Sequence, residues 1–185
     1  MSKKENINTL SKVKKDGKKS GNVFKVDCKF DFIALVKNIF LVFVGAATVG
    51  FLNKDSFKMY KILEKPWFAP PAVAFPIVWT ILYILMALAA YRIYMKNRSG
   101  IKDGGAYFYY LVQLLVNFLW PFLFLSLRLY GISFLVICVL LVLIIITTFK
   151  FKSIDKISAI LMIPYIIWTS YAAVLNFFIW MYNEM

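Results

Sequence analysis

The sequence predicts an all-α integral membrane protein, a five-transmembrane-helix bundle, and three observations lead to this fold class. Apolar residues make up 62% of the 185 residues, whereas soluble domains hold about half. The chain contains five apolar runs near the length of about 20 residues that crosses a bilayer. These runs lack the alternating pattern of barrel strands, and open strands cannot cross lipid. A helical bundle is the architecture that remains.

The first 31 residues are strongly basic, with nine lysines against four acidic residues. Such a segment buries too little apolar surface to fold, so we predict a disordered cytoplasmic tail over 1–31 that lies against anionic headgroups. The net charge of +13 would also suit nucleic acid. We favour the membrane over nucleic acid, because the lysines collect in the tail and in short connectors, as orienting charges do.

The membrane domain is expected over 32–185, with spans at about 32–52, 73–95, 106–126, 130–149 and 157–181. Lys37 and Asn38 interrupt the first span, so we expect Lys37 to snorkel toward the headgroups. A basic stretch before a short apolar run also describes a signal peptide, and that alternative stays open. The small residues Gly45, Ala46, Ala47 and Gly50 fit close helix packing at least as well.

The distribution of Lys and Arg predicts the orientation of the spans. Sixteen of the 22 cations lie in the tail, at 92–104 and at 150–156, and five lie at 53–72 and Arg128. Because cytoplasmic connectors carry the excess of cations, the amino terminus should be cytoplasmic and the carboxyl terminus external.

Several function classes are poorly supported by the residue content. The chain contains no histidine, which removes Ser-His-Asp and Cys-His pairs, His metal sites and His-ligated haem. Cys28 and Cys138 are far apart and are expected to be unpaired thiols, so no metal site is predicted. The four later spans hold no Asp or Glu, as a proton-coupled transporter would need.

The connector 53–72 ends in a proline-rich stretch, and from residue 65 to residue 79 the sequence reads "KPWFAPPAVAFPIVW". Each proline fixes φ and removes an amide donor, so this stretch is predicted to be a stiff, non-helical lid. The lid residues are Pro66, Trp67, Phe68, Pro70 and Pro71, with Pro76 following. Alternatively, Trp67 and Phe68 are interfacial anchors only.

Beneath the lid, three spans carry aromatic and amide side chains at helical spacing toward the same outer half of the bundle. These predicted ligand-binding residues are Trp79, Tyr83, Gln113, Asn117, Trp120, Phe124, Trp168, Ala172, Leu175 and Asn176. Each amide taken singly is better explained as an interhelical hydrogen bond worth about 0.6 to 2 kcal/mol. Taken together, the set predicts an apolar pocket for a flat aromatic ligand.

Three stretches carry a family resemblance: "LEKPWFAPPAVAFPIVWTILYILMALAAYRIY", "QLLVNFLWPFLF" and "IPYIIWTSYAAVLNFFIWMYN". With the five-span layout, residues from about 33 to 183 resemble the tryptophan-rich sensory protein, or translocator protein (peripheral benzodiazepine receptor), family. The resemblance implies a five-helix bundle, commonly a homodimer, whose first long loop closes over a cavity that binds porphyrins, sterols and synthetic aromatic drugs. It also implies an integral protein of a bacterial cell membrane, in contact with membrane lipids.

The resemblance assigns roles to individual residues. Trp79 and Trp168 match the tryptophans that the family implicates in light-dependent porphyrin breakdown, so they would be the catalytic residues of an enzyme. The pocket-lining positions of the family match Tyr83, Asn117, Ala172 and Leu175, and its third-helix motif matches Gln113 and Trp120. The lid departs from the family, since Phe68 and Val73 stand where tryptophans are usual.

Three functions follow from these residues and the resemblance. The leading hypothesis is a receptor or sensor that binds a porphyrin, protoporphyrin IX or haem, as ligand and requires no cofactor. The second is a light-dependent porphyrin-degrading enzyme, and the third is a passive carrier or scaffold for lipid-like molecules. Sterol recognition has weak support, because no cation follows Tyr182.

Overall fold

A computed structural model describes residues 23–26, 30–52 and 57–185. Most of the predicted tail, with Cys28, and positions 53–56 of the connector lie outside the described residues. The chain divides into two compact units, Met1–Asp31 and Phe32–Met185. In the first unit, the described residues 23 and 24 form a turn. All that follows concerns the second unit.

The second unit is built from helices. They are α1 (Phe32–Leu52), α2 (Phe57–Ile62), α3 (Ala74–Arg98), α4 (Ala106–Pro121) with a π-helical turn (Phe122–Ser126), α5 (Tyr130–Ile154) and α6 (Lys156–Asn183). Within the described part of the chain, five helical segments are long and apolar enough to cross a membrane: α1, α3, α4 with its π-helical turn, α5 and α6. The predicted fold class is therefore confirmed.

Helices α5 and α6 extend beyond the predicted apolar runs, and only Asp155 separates them. Lys150 and Lys152 lie within α5, whereas the sequence pattern placed them in a connector. Lysine is a good helix former, and its ammonium group reaches water from a helix end. Hydropathy therefore marks where the apolar part of a span ends, which need not be where its helix ends.

The connector before α3 is more helical than predicted. Residues Phe57–Ile62 form α2, and α3 begins at Ala74, so Pro76 lies in its first turn. A proline is tolerated there because the first amides of a helix have no intrahelical acceptor. Lys65 caps the end of α2, where its Nζ donates to the carbonyls of Tyr60 at 2.7 Å and Leu63 at 2.8 Å. The prolines stiffen the connector without excluding helix from it.

The two polar residues that interrupt the apolar sequence of α1 lie in different environments. Lys37 is exposed, whereas Asn38 is buried. The Asn38 amide donates to the carbonyl of Ala34 at 2.9 Å and accepts from the Tyr107 hydroxyl at 3.0 Å. An amide inside a span must be paired, and this pairing joins α1 to α4.

Glycines allow close contact at two places in the bundle. A Cβ added to Gly45 of α1 would lie 2.1 Å from Cε2 of Phe118 in α4. A Cβ on Gly131 of α5 would lie 2.8 Å from Nε1 of Trp180 in α6. Gly50 has open space around it. Close packing therefore explains Gly45 in the small-residue pattern of α1, but not Gly50.

An ion pair joins α3 to the junction between α5 and α6. Arg92 Nε lies 2.6 Å from Asp155 Oδ2, and Arg92 Nη2 lies 3.0 Å from Asp155 Oδ1. Asp155 also accepts hydrogen bonds from the amide and the hydroxyl of Ser158. Asp155 is thus the residue that caps the start of α6. Burial raises the pKa of Asp155, but the hydrogen bonds from Arg92 and Ser158 outweigh burial and hold that pKa below its usual value. Sequence analysis had treated Arg92 as an orienting charge only.

Candidate functional site

A cavity of about 330 Å³ lies at one end of the bundle, which we call the lid end. The connector before α3, the turn before α5 and the carboxyl terminus all lie at this end. The cavity is walled by α1, α3 and α4 with its π-helical turn, and its roof comes from the connector. Its aromatic lining residues are Phe43, Tyr60, Phe75, Trp79, Tyr83, Trp120 and Phe124. The others are Ala46, Ala47, Val49, Gly50, Ala72, Pro76, Thr80, Pro121 and Leu125.

The exposed part of the lining lies on α1 and α3, and we call this side of the cavity its mouth. The exposed lining residues on these helices are Ala47 and Gly50 of α1 and Pro76 and Thr80 of α3. The contribution of α1 to the cavity is not predicted from the sequence. Its small residues leave room beside a neighbouring helix, but the sequence pattern indicates packing contacts for them.

Four of the ten predicted ligand-binding residues line this cavity: Trp79, Tyr83, Trp120 and Phe124. They form two aromatic pairs on different walls. The rings of Trp79 and Tyr83 are 5.5 Å apart on α3, and those of Trp120 and Phe124 are stacked at 5.2 Å with planes inclined by 20°. Such surfaces suit the faces of a flat ring system.

The roof of the cavity is held by hydrogen bonds to backbone carbonyls. Tyr60 lines the cavity, and its hydroxyl donates to the carbonyl of Pro70 at 3.0 Å. Burial, with Tyr171 nearby, raises the pKa of Tyr60 to about 12. Tyr171 of α6 donates to the carbonyl of Phe68 at 2.9 Å. The connector is thus fastened both to itself and to α6.

The aromatic lid residues separate into an inner and an outer one. Phe68 packs against Tyr171 and Phe178 of α6, with ring centroids 6.3 and 5.5 Å apart. Trp67 is 96% exposed. Pro66 is buried, whereas Pro70 is half-buried and Pro71 is exposed. The carboxyl end of α6 also holds the connector, since the Asn183 side chain exchanges hydrogen bonds with the backbone of Glu64 at 3.2 and 3.0 Å.

The amides Gln113 and Asn117 lie behind the cavity wall and make interhelical hydrogen bonds. The Tyr83 hydroxyl donates to Asn117 Oδ1 at 3.1 Å, and Asn117 Nδ2 donates to the Tyr165 hydroxyl at 2.7 Å. The Tyr165 hydroxyl donates in turn to Gln113 Oε1 at 3.0 Å. This network joins α3, α4 and α6, and Tyr83 is its member on the cavity wall. Asn117 is therefore one residue away from the cavity, through Tyr83, and Gln113 is further away, because its partner Tyr165 does not line the cavity.

Three predicted residues of α6 also lie behind the wall. Asn176 accepts from Trp120 Nε1 at 3.0 Å and donates to the carbonyl of Tyr130 at 2.9 Å. Ala172 and Leu175 are buried in the apolar cluster that contains Trp120 and Tyr60. These residues support the cavity from α6 without reaching its surface.

Trp168 lies on a different concavity. It lines a groove of about 550 Å³ between α3 and α6, together with residues such as Val78 and Tyr171. Its ring contacts that of Phe75 at 5.9 Å, and Phe75 lines the cavity. The sequence predicts one hollow shared by Trp79 and Trp168, whereas in the described residues Trp79 lines the cavity and Trp168 lines the groove, and Phe75 contacts Trp168 from the cavity side. Trp168 Nε1 is enclosed, and no acceptor for it exists among the described residues.

The chemistry that this lining can supply is aromatic and apolar. Among the described lining residues there is no acid, base, cysteine or methionine. Clusters of three side chains able to hold a metal are likewise absent from the described ranges. The site can exclude water from a ligand and stack against it, and the groups most open to oxidation are the indoles of Trp79 and Trp120.

Comparisons with known proteins agree with this architecture. The sequence profile of the TspO/MBR family matches residues 38–181. The tryptophan-rich sensory protein of Cereibacter sphaeroides is 36% identical over 143 residues, which cover 75% of this chain and 87% of that protein. Tryptophan-rich protein TspO of Archaeoglobus fulgidus is 31% identical over 83% of this chain and 99% of its own length. The human translocator protein is 27% identical over 77% of this chain and 83% of its own length.

Proposed function

Since this chain belongs to the TspO/MBR family of membrane proteins, we propose that it is a receptor or sensor that binds porphyrins or similar flat apolar ligands in the cavity at its lid end. The observation that carries the proposal is the pairing of aromatic rings on two walls of one cavity. Trp79 and Tyr83 face it from α3, and Trp120 and Phe124 face it from α4 and the π-helical turn.

The ligand would enter edge first through the mouth between α1 and α3. A volume of about 330 Å³ is at the lower end of the range of about 300 to 1,000 Å³ for small-molecule sites, so one edge of a porphyrin would remain in the mouth. That edge would carry its carboxylates, because the apolar lining offers no cation to pair with them. At the lid end of the spans, the carboxylates would lie at headgroup depth.

The test is a titration of the detergent-solubilised protein with protoporphyrin IX, followed by porphyrin absorbance. Trp79→Phe and Trp120→Phe should each weaken binding by about threefold or more, which corresponds to about 0.7 kcal/mol. Trp180→Phe is the matched control, because Trp180 packs against Gly131 and is not among the described lining residues of the cavity. An unchanged affinity in both cavity variants, or no binding to the wild type, would refute the proposal.

A second candidate function is photochemical breakdown of the bound porphyrin. The observation that favours it is the direct exposure of the oxidisable Trp79 indole to the cavity. Illumination with dioxygen should then bleach the bound porphyrin faster in the wild type than in Trp79→Phe at equal occupancy. Trp168→Phe should have a smaller effect, because Phe75 separates Trp168 from the cavity. Equal bleaching in all three proteins would leave binding as the function.

We further propose that the lid end faces the outside of the cell. The support is the excess of Lys and Arg in the connectors at the opposite end of the bundle. Trp67 offers a probe, because it is 96% exposed on the connector. In a variant with both native cysteines replaced by serine, Trp67→Cys should react with a membrane-impermeant maleimide on intact cells. Labelling only after lysis would reverse the orientation.

A further inference from the structure

We propose that Asn176 is a positioning residue, which holds the Trp120 indole as a wall of the cavity and so determines how well a flat ligand binds. This inference rests on the proposed function, because it requires a ligand in the cavity. The sequence predicts Asn176 as a ligand contact. In the structure, it is absent from the described lining, and Trp120 is the lining residue to which it is hydrogen-bonded.

The geometry fixes both ends of the Asn176 side chain. Its Oδ1 accepts from Trp120 Nε1 at 3.0 Å, and its Nδ2 donates to the carbonyl of Tyr130 at 2.9 Å. A carbonyl can only accept, so the second bond determines which end of the amide turns toward the indole. The side chain is 1% exposed, so water cannot replace either partner. Asn176 therefore links α6 to both α4 and the start of α5.

The Trp120 side chain lies beside a break in the regular α-helical hydrogen bonding. Pro121 follows it directly, and the next five residues form the π-helical turn Phe122–Ser126. Proline removes an amide donor, and π-helical turns interrupt the regular bonding of an α-helix. A side-chain hydrogen bond from another helix is thus the means by which the indole is oriented.

The orientation matters because it decides what a ligand meets. With Nε1 committed to Asn176, Trp120 stacks on Phe124 at 5.2 Å, and both rings line the cavity. Phe124 in turn contacts the ring of Tyr130 at 5.3 Å, the residue whose carbonyl holds Asn176. The contacts therefore form a closed loop from Asn176 through Trp120, Phe124 and Tyr130 back to Asn176, and Trp120 and Phe124 are its members on the cavity wall. Loss of Asn176 would free the indole to rotate and would leave its N–H without an acceptor.

A double-mutant cycle tests this role with protoporphyrin IX as the probe. Asn176→Leu and Trp120→Phe should each weaken binding by about threefold to tenfold, which is within the range that one net hydrogen bond supports. If Asn176 acts through Trp120, the double variant should bind no more weakly than Trp120→Phe alone. Asn117→Leu is the matched control, because it removes an equally buried amide that holds Tyr83 instead. Its effect should add to that of Trp120→Phe.

A second measurement does not need the ligand. In protein labelled with ¹⁵N-tryptophan, the indole N–H resonance that disappears in Trp120→Phe should shift in Asn176→Leu and remain in place in Asn117→Leu. Asn176→Ser, whose side chain is too short to reach the indole, should behave as Asn176→Leu does and replaces it if the leucine variant does not fold. Absence of porphyrin binding to the wild type would refute the proposed function while the resonance still reports the hydrogen bond. An unshifted resonance, or additive losses in the Asn176 and Trp120 cycle, would overturn the positioning role.

Discussion

Replacement of Gly45 by alanine tests whether α1 is seated on α4 by direct contact. The added Cβ would lie 2.1 Å from Cε2 and 2.3 Å from Cζ of Phe118. Ordinary contact begins at 3.4 Å, so the ring or the helix must move by about 1.3 Å, the difference between 3.4 and 2.1 Å. The Phe118 ring also contacts that of Tyr83 at 6.1 Å. Movement of the Phe118 ring toward α3 would therefore reach the cavity wall at Tyr83.

The expected size of the effect follows from two opposing terms. Overpacking of a tight contact costs about 1 to 3 kcal/mol, whereas alanine is favoured over glycine inside a helix by about 1 kcal/mol. Gly50→Ala is the matched control on the same helix, because a Cβ there meets nothing within 4 Å. The Gly50→Ala control therefore gains helix propensity without any overpacking. The difference between the two variants in free energy of unfolding should thus be about 1 to 3 kcal/mol.

The assay is denaturant unfolding of both variants in the same detergent. Gly50→Ala should match or exceed the stability of the wild type, and Gly45→Ala should fall below that of Gly50→Ala. Gly45→Ala should also bind protoporphyrin IX more weakly, because Phe118 displaces Tyr83 from the cavity wall. Equal stability of the two variants within about 0.5 kcal/mol would show that α1 does not rest on Phe118, and the reasoning would fail.

Three further outcomes are expected. Asp155→Asn should destabilise the protein at neutral pH by up to about 3 kcal/mol, because it removes the carboxylate that is paired with the buried Arg92. In the wild type this contribution is complete above pH 3.8, the ordinary pKa, and is lost as the pH falls through the lower folded-state pKa, so acid unfolding curves should converge with those of the variant. Curves that stay apart in strong acid would contradict this assignment. Tyr171→Phe frees the carbonyl of Phe68 and should speed porphyrin dissociation in stopped-flow experiments by about twofold to tenfold. The exposed Tyr182→Phe should leave the dissociation rate unchanged, and equal rates in both variants would argue against a fastened lid. Haem should bind no more tightly than protoporphyrin IX, because the described lining holds no His, Cys or Met for iron and the hydroxyls of its two tyrosines, Tyr60 and Tyr83, already donate to Pro70 and Asn117. A tighter haem titration would show that a side chain binds the iron.

Much of the fold was predictable because it depends on local properties of the chain. A span needs about 20 apolar residues, and each of the five was located by that requirement. The ends were less predictable where charged residues continue a helix, as Lys150 and Lys152 do in α5. The short helix α2 was missed, because six residues near a proline-rich stretch carry too little periodic pattern to be recognised.

The candidate site was predictable in part, and the division has a physical basis. Helical spacing shows that Trp79 and Tyr83 share a stripe, and it shows the same for Trp120 and Phe124. It does not show which neighbour a stripe meets. The sequence pattern predicts Trp168 in the same cavity. In the structure, Trp168 lines a groove between α3 and α6, and its ring contacts Phe75, which lines the cavity.

The sequence by itself determined the class of protein, the number of spans and the content of each helical stripe, because composition and periodicity are properties of single segments. The tertiary structure decided which stripes meet. The contact of Gly45 with Phe118 and the bond from Trp120 to Asn176 join residues that are 73 and 56 positions apart. Such contacts depend on how helices rotate and approach one another. The small residues and the hydrogen-bonding side chains that permit the approach have no periodic signature of their own.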